Sequence, residues 1–221
     1  EIMPSLVGSE MCIRDRVQSA SAVTERVTLQ QTICREGTAV LTDRQNLLLQ
    51  PGESRTVSFR YCVDSPALWS PENPNLYTST MQVLEGEEEL DREETGFGIR
   101  TLSIDAAHGV RINGQTVKLR GACIHHDNGI LGAATLPDAK ERRIRQLKEA
   151  GFNAIRSSHH PAGRALLDAC DRYGVLVMDE LSDVWNVRKN PYDYALYFEQ
   201  DWKPTIQKMV AKDYNLSLIH I

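Results

Sequence analysis

The 221-residue chain holds no run of apolar residues long enough to cross a bilayer, which excludes a membrane-spanning helix. Its first residues have neither the charged start nor the apolar core of an export signal, and both a cytoplasmic and a periplasmic or secreted location stay open for the parent protein. Basic residues are in deficit: 25 Lys and Arg face 30 Asp and Glu, the net charge is -5, and no stripe of Lys and Arg interleaved with aromatics is present. Neither nucleic acid nor a membrane surface is therefore expected as a partner. Cys12, Cys34, Cys62, Cys123 and Cys170 are odd in number and lack the close pairs of a zinc site or a redox motif, which predicts buried free thiols. What is present is an ordinary globular composition, 41% hydrophobic and 25% charged, enough to bury a core in one large or two modest domains.

The two ends stand apart from the rest. Ser5–Arg16 and Leu216–Ile221 look like translated sequencing adapter joined to a gene fragment, so residues 1–16 and 216–221 are expected to be non-native tails, the alternative being a native tail and a native strand. From 17 to 101 the pattern is short β-prone runs with turn signals between them: Val23–Thr32, Asn46–Gln50, Thr56–Val63, Leu76–Leu84 and Thr95–Arg100. Val57, Phe59 and Tyr61 alternate with Ser58, Arg60 and Cys62, as a half-buried antiparallel strand requires, and Pro51-Gly52 is a turn. An immunoglobulin-like sandwich fits this run. Glu85–Glu89 reads as an acidic hairpin turn, and Gly96 and Gly98 form no dinucleotide loop because no phosphate-binding helix opens after them.

Beyond 102 the period changes. Leu102–Gln115 is a connector whose Asn113-Gly114 pair signals a hairpin turn. Val117–Ile124, Phe152–Ser157 and Val175–Met178 then read as strands, and Thr135–Ala150, Ala162–Tyr173 and Tyr194–Tyr214 as helices. In the first helix Pro137 and Asp138 suit the opening turn and Gly151 the close; Ile144, Leu147 and Ala150 make the buried stripe, with Lys140, Glu141, Arg142, Arg143 and Arg145 facing largely outward. The second buries Leu166, Leu167 and Cys170. The third presents Phe198, Trp202, Ile206, Met209 and Val210 to the core, with Pro204 starting or kinking it. Alternating strands and helices predict a parallel sheet with crossover helices, in which chemistry collects at the carboxyl ends of the strands. Those ends carry His125-His126-Asp127, Arg156 to His160, and Asp179 to Trp185. One such cluster alone would be a satisfied buried histidine or a surface ion pair; matching positions in successive units point to a shared site.

Arg156-Ser157-Ser158-His159-His160-Pro161, Asp171-Arg172-Tyr173-Gly174 and Val177-Met178-Asp179-Glu180 together resemble glycoside hydrolase family 2, whose best-known members are β-galactosidases and β-glucuronidases. The likeness extends upstream through Leu68–Tyr77, Gly96–Arg100, Asn113-Gly114 and Arg120-Gly121. It implies a multidomain β plus α/β fold: a partial immunoglobulin-like β-sandwich over 17–101, followed over 102–215 by the first three βα units of a (β/α)8 TIM barrel, which when whole needs about 250 residues. It also implies a retaining β-glycosidase acting on terminal β-linked sugars, most of all a β-galactosidase. Such an enzyme uses two carboxyl groups about 5–5.5 Å apart. In the family these glutamates lie on strands after the third, the acid/base soon after an Asn-His-Pro stretch that Lys212-Asp213-Tyr214-Asn215 approaches, so neither is in this chain and no turnover is expected of it.

What remains by resemblance is part of a sugar cradle. Pyranose hydroxyls are bound by carboxylate, imidazole and guanidinium groups because each offers directed donors or acceptors. His125, His159, Asp183 and Trp185 match family positions beside the substrate, and Asp127, Arg156, His160, Asp179 and Glu180 complete the candidate binding set. His126 and His160 depart from the pattern, standing where well-known members carry glutamate and tyrosine. Arg156 either meets sugar or holds a carboxylate below the site. Asp179 and Glu180 are adjacent and point to opposite faces, so only one can look into a barrel. No cofactor is expected here, the Mg or Na of some members being held by residues absent from this chain; a β-linked oligosaccharide or glycoside is the expected partner, and the parent could be a homo-oligomer.

Two other classes compete. A metal-dependent hydrolase on the same barrel would use His125, Asp127 and His159 as ligands, since imidazole is a common zinc ligand. A non-catalytic carbohydrate-binding module would bind sugar through the sandwich alone. Ser157 or Ser158 as nucleophile is the least favoured of the readings, because no elbow motif surrounds them and neighbouring His159 cannot fold back as their base.

Overall fold

The computed structural model describes residues 10–213, 216 and 219–220. The chain divides into two compact units, residues up to 68 with 76–102, and residues 69–75 with those from 103 onward.

The first unit holds two sheets. β1 (Glu10–Gln18) pairs antiparallel with β4 (Ser54–Cys62), while β2 (Glu25–Arg35), β3 (Thr38–Leu49), β5 (Tyr77–Glu85) and β6 (Glu88–Phe97) form a second sheet in the order β3-β2-β5-β6. Alternation builds both. β2 buries Val27, Leu29, Gln31 and Ile33, and β4 buries Val57, Phe59 and Tyr61 while Ser58, Arg60 and Cys62 stay exposed. Leu29, Ile33, Val57, Phe59, Tyr61, Tyr77 and Met81 make one core, each contributing about 1.5–3 kcal/mol if fully buried. The turn at Gly86, with φ at 62°, joins β5 to β6 where the acidic hairpin is expected.

Two strands here were not legible. Residues 1–16 show no readable alternation, yet β1 lies along β4 from Glu10 opposite Cys62 to Gln18 opposite Ser54, and Ile13 and Val17 pack on the core. The partner strand supplies the order that the local pattern lacks. The acidic start of β6 is exposed because β6 is an edge strand, so it never needed an apolar face.

In the rest of the chain β7 (Leu102–Asp105), β8 (Gly109–Ile112) and β9 (Gln115–Thr116) form a small sheet. Asn113 and Gly114 sit at φ 51° and 78°, the paired positive values of the expected hairpin turn. Val117 N–H donates back to Val110 O at 2.8 Å, so the hairpin claims the start of the expected strand and the first parallel strand is shorter: β10 spans Gly121–Ile124. β11 (Ala154–Ser157), β12 (Leu176–Met178) and β13 (Ile219–His220) follow in parallel, in the order β10-β11-β12-β13.

Three helices accompany these strands, α1 (Pro137–Glu149), α2 (Arg164–Tyr173) and α3 (Phe198–Asp213). Gly174 closes α2 in the left-handed region and lies so close to the Pro71 carbonyl that a side chain there would collide. Lys148 ties the same corner, donating from Nζ to Pro71 O at 2.6 Å and to Gly174 O at 3.0 Å.

Several burial expectations are corrected. Lys140, expected outward, is 2% exposed and shares the inner face of α1 with Ile144, whereas Ala150 is exposed. In α3 the residues buried are Met209 and Asp213, and Trp202 keeps 43% of its surface, so the aromatic stripe is not core. Pro204 lies inside α3. Among the described cysteine side chains Cys170 is buried, Cys34 half-buried, and Cys62 and Cys123 exposed, while that of Cys12 lies outside the described ones.

Candidate functional site

Parallel pairing sets the exits of β10, β11 and β12 side by side, Ile124 opposite Ser157 and Arg156 opposite Met178. Ser158 N–H donates to Ile124 O at 2.9 Å, carrying the pairing one step past β11, and the Ser158–His159 peptide is cis. Beyond the two strand ends the four histidines sort into two pairs. His125 and His159 meet edge to face with centroids 5.4 Å apart. His126 and His160 stack nearly parallel at 4.1 Å.

The first pair carries the charge. Glu180, just beyond β12, uses both carboxylate oxygens: Oε1 is 2.6 Å from Arg156 Nε, an ion pair with poor hydrogen-bond alignment, and Oε2 is 3.0 Å from His159 Nδ1. The other ring nitrogen, His159 Nε2, lies 3.8 Å from Asp183 Oδ1. Asp183 in turn accepts from Lys189 Nζ at 2.7 Å, and that hydrogen bond holds its carboxyl below the usual carboxylate range. The result is a line of alternating basic and acidic side chains, Arg156, Glu180, His159, Asp183, Lys189, with His125 packed on the central imidazole.

Four of the expected residues lie outside this line. Asp127 turns its carboxylate to the Gly129 N–H at 3.2 Å, and with His125 it borders a shallow hollow of about 290 Å³ along β10 and α1. His160 faces His126. Asp179 accepts the Ala162 N–H at 2.8 Å, and burial, reinforced by the charge of Asp213, raises it to about 6. Trp185 is 66% exposed and stacks on Phe198 with centroids 6.0 Å apart. Sequence reasoning missed Lys189, which no motif marks, and Asp213, legible only as part of Lys212-Asp213-Tyr214-Asn215.

A metal-dependent reading would need His125, Asp127 and His159 to converge, and Asp127 is committed elsewhere. Among the described residues no group of three or more His, Cys, Asp or Glu side chains is placed to hold a metal ion. Imidazole, guanidinium, carboxylate and ammonium groups on one rim suit the recognition of a neutral polyhydroxylated ligand.

Comparison with known proteins agrees in both units. The model of the glycosyl hydrolases family 2 matches residues 7–100, and that of the glycosyl hydrolases family 2, TIM barrel domain, matches 106–213. A β-galactosidase of Bacteroides ovatus is 41% identical over 180 residues, 81% of this chain and 21% of that protein. A solved family 2 glycosyl hydrolase of Bacteroides cellulosilyticus has a TM-score of 0.85 at 39% identity, covering 97% of this chain and 28% of that one. The solved β-glucuronidase of Bacteroides uniformis has a TM-score of 0.85 at 29% identity, covering 96% of this chain and 26% of that one. The chain thus spans about a fifth of the length of the curated relative. The fold class read from the sequence, a partial sandwich followed by the start of a TIM barrel, stands. Matched in order along nearly its whole length by the family's sandwich and barrel domains, the chain belongs to the glycosyl hydrolases family 2.

Proposed function

We propose that the protein to which this chain belongs hydrolyses terminal β-linked glycosides with retention of configuration, in the manner of a β-galactosidase. This chain supplies part of the sugar cradle and not the two reacting carboxyl groups. The observation that carries the reading is the position of His159, its Nδ1 on Glu180 at 3.0 Å and its Nε2 turned toward Asp183 at 3.8 Å. A ring whose Nδ1–H donates to Glu180 presents Nε2 as an acceptor in a defined direction, and a sugar hydroxyl set beside Nε2 and Asp183 would find an acceptor for its O–H on either side.

Glu180 and Asp179 are poor candidates for the catalytic pair. Both oxygens of Glu180 are engaged by Arg156 and His159, and Asp179 is held on Ala162 N. A retaining glycosidase requires one free nucleophile and one proton donor facing each other across the scissile bond. Arg156 accordingly acts through Glu180, which it holds against the imidazole.

Titration of the chain with methyl β-D-galactopyranoside, followed by NMR, tests this. Shifts are expected at His125, His159 and Asp183. Shifts confined to residues 17–101 would replace the reading with a binding module. Chromogenic β-galactosides are expected to be left intact, and turnover abolished by Glu180→Gln would overturn the assignment.

A further inference from the structure

We propose that Asp179 and Asp213 share one proton between their Oδ2 atoms under mildly acidic conditions. This acid pair positions the Arg156–Glu180–His159 cluster by fastening α3 to the exits of β11 and β12.

Each carboxyl has one oxygen accounted for. Asp179 Oδ1 accepts the Ala162 N–H at 2.8 Å, and Asp213 Oδ1 accepts from Lys212 Nζ at 2.5 Å. Lys212 Nζ also reaches Ala162 O at 2.8 Å, so both side chains close on the same peptide stretch. The remaining oxygens, Asp179 Oδ2 and Asp213 Oδ2, are buried and meet no donor, and Asp213 is 0% exposed. Two buried acceptors without a donor are costly, and two neighbouring carboxylates repel as well. One proton removes both costs by turning one oxygen into a donor to the other. Asp213, holding Lys212 on its other oxygen, is the natural acceptor, and burial first and Asp213 next raise Asp179 to about 6.

Lys212 of α3 contacts the pair; Glu180, next to Asp179 in the chain, is occupied with Arg156 and His159, and His160 is stacked on His126. Asp179 directly precedes Glu180, and Ala162 follows His159, His160 and Pro161. Holding Asp179 and Ala162 to the end of α3 therefore holds both partners of the Glu180–His159 contact. A folded-state pKa raised above the unfolded value contributes stability that is complete below the unfolded value and is lost as pH rises through the folded one, here between 3.8 and about 6. The inference rests on the sugar-cradle reading only for what the positioned cluster binds.

Infrared spectroscopy of the whole chain is the test. A protonated-carboxyl C=O band is expected on the acid side of the transition and should vanish as the pH is raised through about 6. Asp15 is raised by burial too, so the band is assigned by its absence from Asp179→Asn. In that variant the amide still accepts from Ala162 and donates to Asp213, so its thermal midpoint should lose the fall with pH shown by the unaltered chain. The Arg156 Hε resonance should move with the transition in the unaltered chain and stay still in Asp179→Asn. If that variant does not fold, Asp213→Asn and the unaltered chain give the same readouts. The proposal is overturned if no such band exists, if the band survives in the Asn variants, or if the midpoint of the unaltered chain does not fall. None of these measurements uses sugar, so a failure to bind galactoside would remove the cradle and leave the proton link standing.

Discussion

The indole Nε1 of Trp69 donates a 2.9 Å hydrogen bond to the backbone carbonyl of Asp171 in α2, and the Trp69 side chain is 0% exposed. Asn113 Nδ2 reaches Trp69 O at 3.0 Å, and Lys148 holds Pro71 O. These bonds explain why residues 69–75 leave the strand-rich unit that flanks them in sequence and join the second one. Trp69→Phe keeps most of the buried ring and loses the donor, and should cost about 1–3 kcal/mol. Trp69→Ala empties the site and should cost about 3–5 kcal/mol. Urea unfolding of the two variants separates the bond from the packing, and a silent Trp69→Phe would show that packing alone holds the segment.

Glu180→Gln keeps the shape of the side chain while removing the charge that faces Arg156 Nε and His159 Nδ1. Affinity for methyl β-D-galactopyranoside should fall about tenfold, roughly 1.4 kcal/mol. Calorimetry with unaltered and variant chains measures it. Equal affinities would mean that His159 needs no orienting partner.

Lys189→Met removes the hydrogen bond that lowers Asp183. A depressed carboxylate contributes stability above its unfolded value and loses it as pH falls through the folded one. In the variant the Asp183 titration should therefore move up toward the usual carboxylate range, and the acid-side loss of stability that it causes should shrink. Carboxyl-detected NMR reads the midpoint directly, and an unmoved midpoint would free Asp183 from Lys189.

Lys140 Nζ is buried with no hydrogen-bond partner among the described residues. A buried polar group left unsatisfied costs about 1–3 kcal/mol, so Lys140→Met should stabilise the chain by part of that amount. Thermal unfolding decides it. A loss of stability would show that the ammonium group is satisfied within the fold.

The strands with a partly buried face were legible because a period of two is local: Val57, Phe59 and Tyr61 announce their shared face before any partner is known. Asn113-Gly114 was legible for the same reason, its turn chemistry residing in two residues. β1 and the acidic half of β6 were not, since one is ordered by β4 and the other is an exposed edge.

By itself the sequence determined the alternation of parallel strands and helices beyond residue 116, the strand exits at which polar residues gather, and the motifs that place the chain in its family. Only the tertiary structure decided which of two neighbours faces the rim: His159 and Glu180 join the cluster while His160 and Asp179 turn to His126 and Ala162. It also decided that Lys189 completes the line of charge and that Lys140 is buried. Periodicity is written within a few residues, whereas the partner of a charged side chain depends on which distant segments the packed sheet and helices bring beside it.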